Sequence, residues 1–213
     1  MGHEIKFIFF DMGKVLLDFD HQRLTRQVAE LARKTEADMD RLLFHEPHDL
    51  ENRFERGELN GEEFHSSFCE LTGCEVSKSD LLEAVADIFW LNVPIVNLLT
   101  QLQIADFPMA VLSNTCSAHW EWAEQKFTVL DQYFQHRILS YEEKSMKPDA
   151  KIYESAIALA KKLVGCETGE IFFTDDKQEN VDAARVAGMQ AELFVSTRTL
   201  AGQLKQGKVP IVV

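Results

Sequence analysis

The sequence has no long apolar stretch, no excess of positive charge, few turn-forming residues and no paired cysteines. No run approaches the ~18 apolar residues that a membrane-spanning helix needs, so no membrane partner is expected. With 22 Lys+Arg against 35 Asp+Glu the formal net charge is −13, which repels a polyanion, and no local basic groove offsets it. A nucleic-acid partner is therefore not expected. Only 10 Gly and 5 Pro among 213 residues leave no room for a collagen-like or low-complexity chain. Cys69, Cys74, Cys116 and Cys166 show neither the C-x-x-C spacing of a zinc site nor the density of a disulfide-stapled domain, and read as reduced thiols. The opening Met1-Gly2-His3-Glu4-Ile5-Lys6 carries no signal-peptide pattern, and the expected location is cytoplasmic.

What is present suits one globular unit with an insertion. The chain is 46% hydrophobic and 10% aromatic, enough to bury a sizeable core. Ile5 to Phe10 is a β-prone run stopped by Asp11 and Gly13, as for a strand buried on both faces. Similar runs return at 109–112, 137–139, 171–173 and 191–195, with helical patterns between them at about 94–104, 117–127, 149–162 and 178–187. Alternation of this kind predicts an α/β fold: a parallel, Rossmann-like sheet with helices on both faces.

Residues 20–90 break that rhythm. Their apolar spacing (Leu24, Val28, Leu31; Phe64, Phe68, Leu71; Leu81, Leu82, Val85, Ile88, Phe89) is helical, and no β-type run is read there. Asn60-Gly61-Glu62-Glu63 has the form of a capping box, which predicts a helix start. This segment holds 8 basic and 17 acidic residues. It is expected to form a small helical cap (20–90) inserted after the first strand of a core domain (1–19 and 91–213), above the carboxyl ends of the strands where open α/β sheets bind ligands.

Four strand-like runs end in polar residues: Asp11; Ser113-Asn114-Thr115; Ser140, leading on to Lys147; and Asp175-Asp176. Parallel strands bring such ends together. Three converging carboxylates, Asp11, Asp175 and Asp176, would repel one another unless a hard divalent cation such as Mg²⁺ compensated them. Lys147 and Ser113 then suit a phosphate, one as a point charge and the other as a hydroxyl donor. Asp11 could also attack phosphorus, forming an aspartyl-phosphate that water later hydrolyses. Simpler roles exist for each group: Ser113-Asn114-Thr115 as a helix cap, Lys147 as a solvated loop residue, and Asp175-Asp176 as an acidic helix start.

Phe10-Asp11-Met12-Gly13-Lys14-Val15-Leu16, Val111-Leu112-Ser113-Asn114-Thr115, Lys147-Pro148-Asp149-Ala150-Lys151-Ile152-Tyr153, and Phe173-Thr174-Asp175-Asp176 through Asn180-Val181-Asp182-Ala183-Ala184 resemble, in order and placement, the four motifs of the haloacid dehalogenase-like hydrolases. The resemblance implies Asp11 as nucleophile and metal ligand, Ser113 as the hydroxyl that binds the phosphoryl group with Asn114 beside it, and Lys147 as the cation steadying both. It implies Asp175 and Asp176 as the acidic pair at the metal, with Asp176 the preferred direct ligand, and Mg²⁺ as cofactor. The substrate implied is a small phosphomonoester.

The departure from the family is Gly13. Phosphatases of the family usually carry a second aspartate there, which protonates the leaving oxygen and then activates water. The carbonyl of Gly13 could still bind the metal, while the acid–base role falls to another group such as Asp18, Asp20 or a cap residue. The Asp-x-Gly-x-Val opening also resembles a subgroup of sugar-phosphate phosphatases, often labelled epoxide-hydrolase-like or dehalogenase-like, some acting on glucose 1-phosphate. Two alternatives stay open: a metal-independent 2-haloacid dehalogenase, and a phosphate-binding protein without turnover. His119, Trp120 and Trp122 could form a sugar platform or pack in the core. His21, His45, His48 and His65 have no metal-ligand spacing and read as surface or second-layer residues. Oligomeric state has no signature.

Overall fold

The computed structural model describes residues 4–212; Met1-Gly2-His3, part of the opening read above, lie outside the described residues, as does Val213. In chain order, β1 (Phe7–Phe10) and β2 (Leu17–Phe19) lead to α1 (His21–Ala32), α2 (Glu36–Phe44), α3 (Leu50–Glu55), α4 (Gly61–Thr72) and α5 (Lys78–Ala86). Then follow β3 (Phe89–Leu91), α6 (Ile95–Ile104), β4 (Met109–Ser113), α7 (Ser117–Lys126), α8 (Thr128–Tyr133), β5 (Arg137–Leu139) and α9 (Ser140–Glu143). The chain continues through α10 (Ala150–Val164), β6 (Ile171–Asp175), α11 (Gln178–Val186), β7 (Gln190–Leu193) and α12 (Thr197–Gln206).

The sheet has five parallel strands in the order β5-β4-β1-β6-β7. Because side chains alternate across a strand, the apolar β1 serves two cores at once. Ile8 and Phe10 join the cluster that also holds the cap, while Phe7 and Phe9 face Ile152, Tyr153 and Ala156 of α10. Strand order reverses at β1: the chain first builds outward through β4 and β5, then returns to lay β6 and β7 on the other side. Such a switch point opens a crevice at the carboxyl ends of the strands, and Asp11 follows β1 directly.

The helical reading of 20–90 is correct for α1 to α5 but not for its last residues. α5 ends at Ala86, and Phe89 begins β3, which pairs antiparallel with β2 in a two-stranded ribbon: Leu17 opposite Leu91, Asp18 opposite Trp90, Phe19 opposite Phe89. Chain leaves the core along β2 and re-enters along β3, so the helices between are tethered by a ribbon instead of two free linkers. The predicted helix start at Asn60 is a full capping box: Asn60 Oδ1 accepts from the Glu62 and Glu63 amides, and the Glu63 carboxylate accepts from the Asn60 amide at 2.8 Å.

Two strands extend further than read. β4 takes in Ser113, opposite Leu139, and β6 takes in Thr174 and Asp175, the latter opposite Leu193. β7 starts one residue early and ends at Leu193. Among the described residues no helix is long and apolar enough to cross a membrane, and all four cysteines are free.

Candidate active site

The buried lysine organises the floor of the crevice. Lys147 Nζ lies 2.8 Å from Asp11 Oδ1, 2.6 Å from Asp175 Oδ2 and 3.0 Å from the Leu112 carbonyl. Its residue is only 4% exposed. An ammonium held this way uses all three donors, and each charge is paired as a buried charge must be. Burial pulls the Lys147 pKa down, but Asp11 and Asp175 outweigh it, and the net shift is upward. The solvated-loop reading of Lys147 is excluded by this geometry.

Asn114 sets the lysine in place from β4's end. Its amide donates to the Lys147 carbonyl at 2.9 Å, and its Oδ1 accepts the Lys147 N–H at 2.8 Å. That closed pair fixes the backbone from which Lys147 reaches inward. Ser113, buried, turns its hydroxyl to the Asn114 carbonyl at 3.2 Å. The capping reading of this tripeptide fails: the N-cap of α7 is Cys116, with no side-chain cap bond.

The three acids converge as expected, each offering one oxygen within 4.8 Å of the others. Their surroundings differ. Asp175 is fully enclosed: Oδ1 accepts from the Lys177 amide at 2.8 Å and Asn180 Nδ2 at 2.9 Å, and Oδ2 accepts from Lys147. Asp11 Oδ1 accepts from Lys147 and from the Met12 amide at 2.8 Å, whereas no hydrogen bond among the described residues reaches Oδ2. Asp176 is half-buried and lines the cavity above. Burial raises the Asp11 carboxyl to about 7 against the pull of Lys147, with Asp175 and Asp176 adding to the rise; burial and Asp175 likewise raise Asp176. The acidic-helix-start reading does not hold, since α11 begins at Gln178 with Lys177 as its N-cap.

These groups floor a cavity of about 150 Å³. Asp11, Gly13, Asn114, Lys147 and Asp176 line its base, joined by Lys177 and Asn180; the cap contributes His21, Phe44, Glu51, Asn52 and Glu55. Phe19 from the ribbon and His119 from α7 close the sides. His21 stacks on Phe44 with centroids 5.1 Å apart and lines the cavity while staying exposed, in keeping with the surface or second-layer reading. Of the aromatic trio on α7, only His119 reaches the cavity; Trp120 is core, and Trp122 packs on Phe89 and Phe127.

Glu51 was not anticipated. It is 2% exposed, both carboxylate oxygens lack a hydrogen-bond partner among the described residues, and the nearest ring nitrogen, His119 Nε2, lies 3.5 Å away. Burial and neighbouring Glu55 hold its pKa well above the usual range, while burial pushes His119 down to about 3. His119 is therefore neutral at pH 7, and burial favours the protonated form of Glu51. Asp18 and Asp20 are absent from the cavity lining; Asp20 caps α1 by accepting the Gln22 amide at 2.8 Å.

The donor set fits the hard cation the fold family implies. All candidate ligands are oxygens, as Mg²⁺ prefers, and three acids with one lysine leave a net negative charge at the base of the cavity.

Comparison with known proteins agrees with this geometry. A family model described as a haloacid dehalogenase-like hydrolase matches residues 5–188. A predicted HAD-like family hydrolase from Porphyromonas gingivalis is similar at a TM-score of 0.80 and 22% identity, over 95% of this chain and 98% of that one. The HAD family enzyme bt-2542 from Bacteroides thetaiotaomicron, solved with magnesium and inorganic phosphate, is similar at a TM-score of 0.75 and 24% identity, over 89% of this chain and 93% of that one. L-2-haloacid dehalogenase from Xanthobacter autotrophicus is more distant, with a TM-score of 0.61 and 19% identity over 95% and 83% of the two chains. With the motifs joined at one lysine and the family model spanning most of the sequence, the chain belongs to the haloacid dehalogenase-like hydrolases.

Proposed function

We propose that the protein is a Mg²⁺-dependent phosphatase that hydrolyses a small phosphomonoester through an aspartyl-phosphate on Asp11. The observation that carries this reading is the Lys147 ammonium, bonded at once to Asp11 and Asp175 beneath the open cavity. Asp11 Oδ2, free of hydrogen bonds among the described residues, is the attacking atom. Lys147 holds the other oxygen of the same carboxylate, which fixes the line of attack and favours the ionised form. Ser113, after rotation about χ1, and Asn114 at the cavity edge donate to the phosphoryl oxygens, where charge is spread as the group transfers.

Asp11, the Gly13 carbonyl and Asp176 would hold the cation, with Asp175 behind them keeping Lys147 in place. When bound, Mg²⁺ would neutralise phosphoryl charge and the mutual repulsion of the acids. We assign residues 20–90 to the cap domain and 1–19 with 91–213 to the core. The neutral His119 and Glu51, whose protonated form burial favours, stand beside Asn52 and suit a polar, uncharged leaving group. A sugar phosphate such as glucose 1-phosphate is the candidate.

Bacteroides bt-2542 binds magnesium and phosphate on the same fold, which supports this reading over the dehalogenase one. An acidic floor also disfavours a haloacid substrate unless a cation offsets it. Measured phosphate release should require Mg²⁺, stop with EDTA, and fall more than about 10³-fold in Asp11→Asn. Turnover indifferent to EDTA and to that substitution, or chloride release from chloroacetate in its place, would overturn the proposal.

A further inference from the structure

We propose that Glu55, on the cap helix α3, is the general acid and base of the hydrolysis, in the role of the carboxylate that Gly13 lacks. This rests on the phosphatase reading above and names a residue it leaves open.

Position 13 has no room for an acid. A Cβ built on Gly13 would lie 2.8 Å from Phe19 Cε1. That ring is hemmed in by Lys14 Nζ at 4.5 Å from its centroid, His21 at 4.8 Å and Phe89 at 6.0 Å, so it does not swing away at small cost. The ribbon thus fills the space a side chain there would use, and the proton donor must come from elsewhere on the cavity wall.

Among the cap's acids only Glu51 and Glu55 line the cavity. They stand at i and i+4, one above the other on the same face of α3. Glu51 is sealed in at 2% exposure, and burial favours its protonated form, which leaves Glu55 the more accessible of the two. Glu55 is only half-buried, and no hydrogen bond among the described residues ties its carboxyl. Burial raises its pKa to about 7, opposed by Lys177, Lys147 and Arg56 and assisted by Asp49; Glu51 and Cys116 also face it. A group near the working pH gives and takes a proton most effectively.

The backbone of Glu55 is anchored to the loops that carry the reacting groups. Ser140 Oγ donates to the Glu55 carbonyl at 2.6 Å and accepts the Thr115 amide at 2.9 Å, one residue past Asn114. Two residues on, Gly57 (φ +70°) lies so close to the Tyr141 carbonyl that a Cβ would collide with it. The end of α3 is therefore seated against α9, and Glu55 is held at the cavity by the core itself.

In the first step Asp11 Oδ2 bonds to phosphorus, the bond from phosphorus to the leaving oxygen breaks, and the Glu55 proton passes to that oxygen. In the second, water bonds to phosphorus, one of its protons returns to Glu55, and the bond from phosphorus to the Asp11 oxygen breaks. Both carboxyl groups end as they began.

The test compares Glu55→Gln with wild type on phenyl phosphate, whose leaving oxygen needs a proton, and on p-nitrophenyl phosphate, whose leaving oxygen does not. The value of kcat/KM should fall about 10²-fold or more on phenyl phosphate and less than roughly 10-fold on p-nitrophenyl phosphate. Acid-quenched samples of the variant should accumulate aspartyl-phosphate. Equal losses on the two esters, or unchanged rates beside an active wild type, would overturn the role of Glu55 alone. Failure of wild type to release phosphate from either ester would instead sink the phosphatase reading, and this proposal with it. Should the variant not fold, wild type on a series of substituted phenyl phosphates decides the matter. A shallow dependence of kcat/KM on leaving-group acidity is expected, and a steep one contradicts the proposal.

Discussion

Single residues in this protein owe their chemistry to which partners burial leaves them. Asp175 and Asp176 are neighbours in sequence, yet one has both oxygens taken by Lys147, Asn180 and a backbone amide while the other faces the cavity. Glu51 and Glu55 differ in burial instead: neither carboxyl has a hydrogen-bond partner among the described residues, but Glu51 is enclosed and Glu55 partly open. Glu51 makes a prediction about stability. Enclosed beside His119, Cys116 and Glu55, it has its protonated form favoured by burial in the fold, whereas in the unfolded chain it ionises above its ordinary value of 4.5. Proton binding then favours the native state: that contribution is full below pH 4.5 and is lost as pH rises toward the folded pKa. Glu51→Gln, which cannot ionise, should gain on wild type with rising pH, by up to about 1.4 kcal/mol per unit. Urea midpoints at pH 5 and pH 8 measure it, and a gap between the two proteins that stays constant with pH would show that the carboxyl is not held neutral.

At the level of elements, legibility followed how completely the fold surrounds a segment. Sheet strands could be read because β1, β4 and β6 are covered on both sides and thus apolar throughout, and Asn60 could be read because its cap is local. The ribbon could not: β2 and β3 are three residues each, mix Asp18 and the exposed Trp90 with apolar neighbours, and place Phe89 four residues after Val85, which mimics a helical repeat. α8 is only six residues, and α12 carries its buried positions, Leu200, Ala201 and Leu204, in an otherwise polar run. The convergence of Asp11, Asp175 and Asp176 at the strand ends was legible from topology. The place of Glu51 and Glu55 on the cavity wall was not, because no spacing within α3 tells which of its faces lines that cavity. The seat of that helix can be probed by two glycines. Gly57 and Gly73 share nearly the same φ, +70° and +68°, but only Gly57 meets a neighbour. Alanine at either should destabilise by about 1 kcal/mol from backbone strain, and Gly57→Ala by more, with a fall in kcat that Gly73→Ala does not share. Equal effects in urea melts and turnover would mean that α3 is not positioned by its contact with Tyr141.

Taken whole, the molecule sets a negative surface, net −13, around a single buried lysine that two strand ends share. Such a field does not draw in anions from a distance, so in the proposed reading recognition falls to the enclosed groups and the cation they would hold. The parallel sheet brings Asp11, Asn114 and Asp176 to one edge, Lys147 reaches them from the loop before α10, and the ribbon returns the cap over all four. Function then depends on whether phosphorus is transferred to the first of these residues. During turnover of p-nitrophenyl phosphate with Mg²⁺, acid quenching followed by mass spectrometry of the peptide containing Asp11 should find a phosphoryl group on that aspartate, absent with EDTA and lost once the substrate is exhausted. Steady phosphate release with Asp11 never modified would contradict the account.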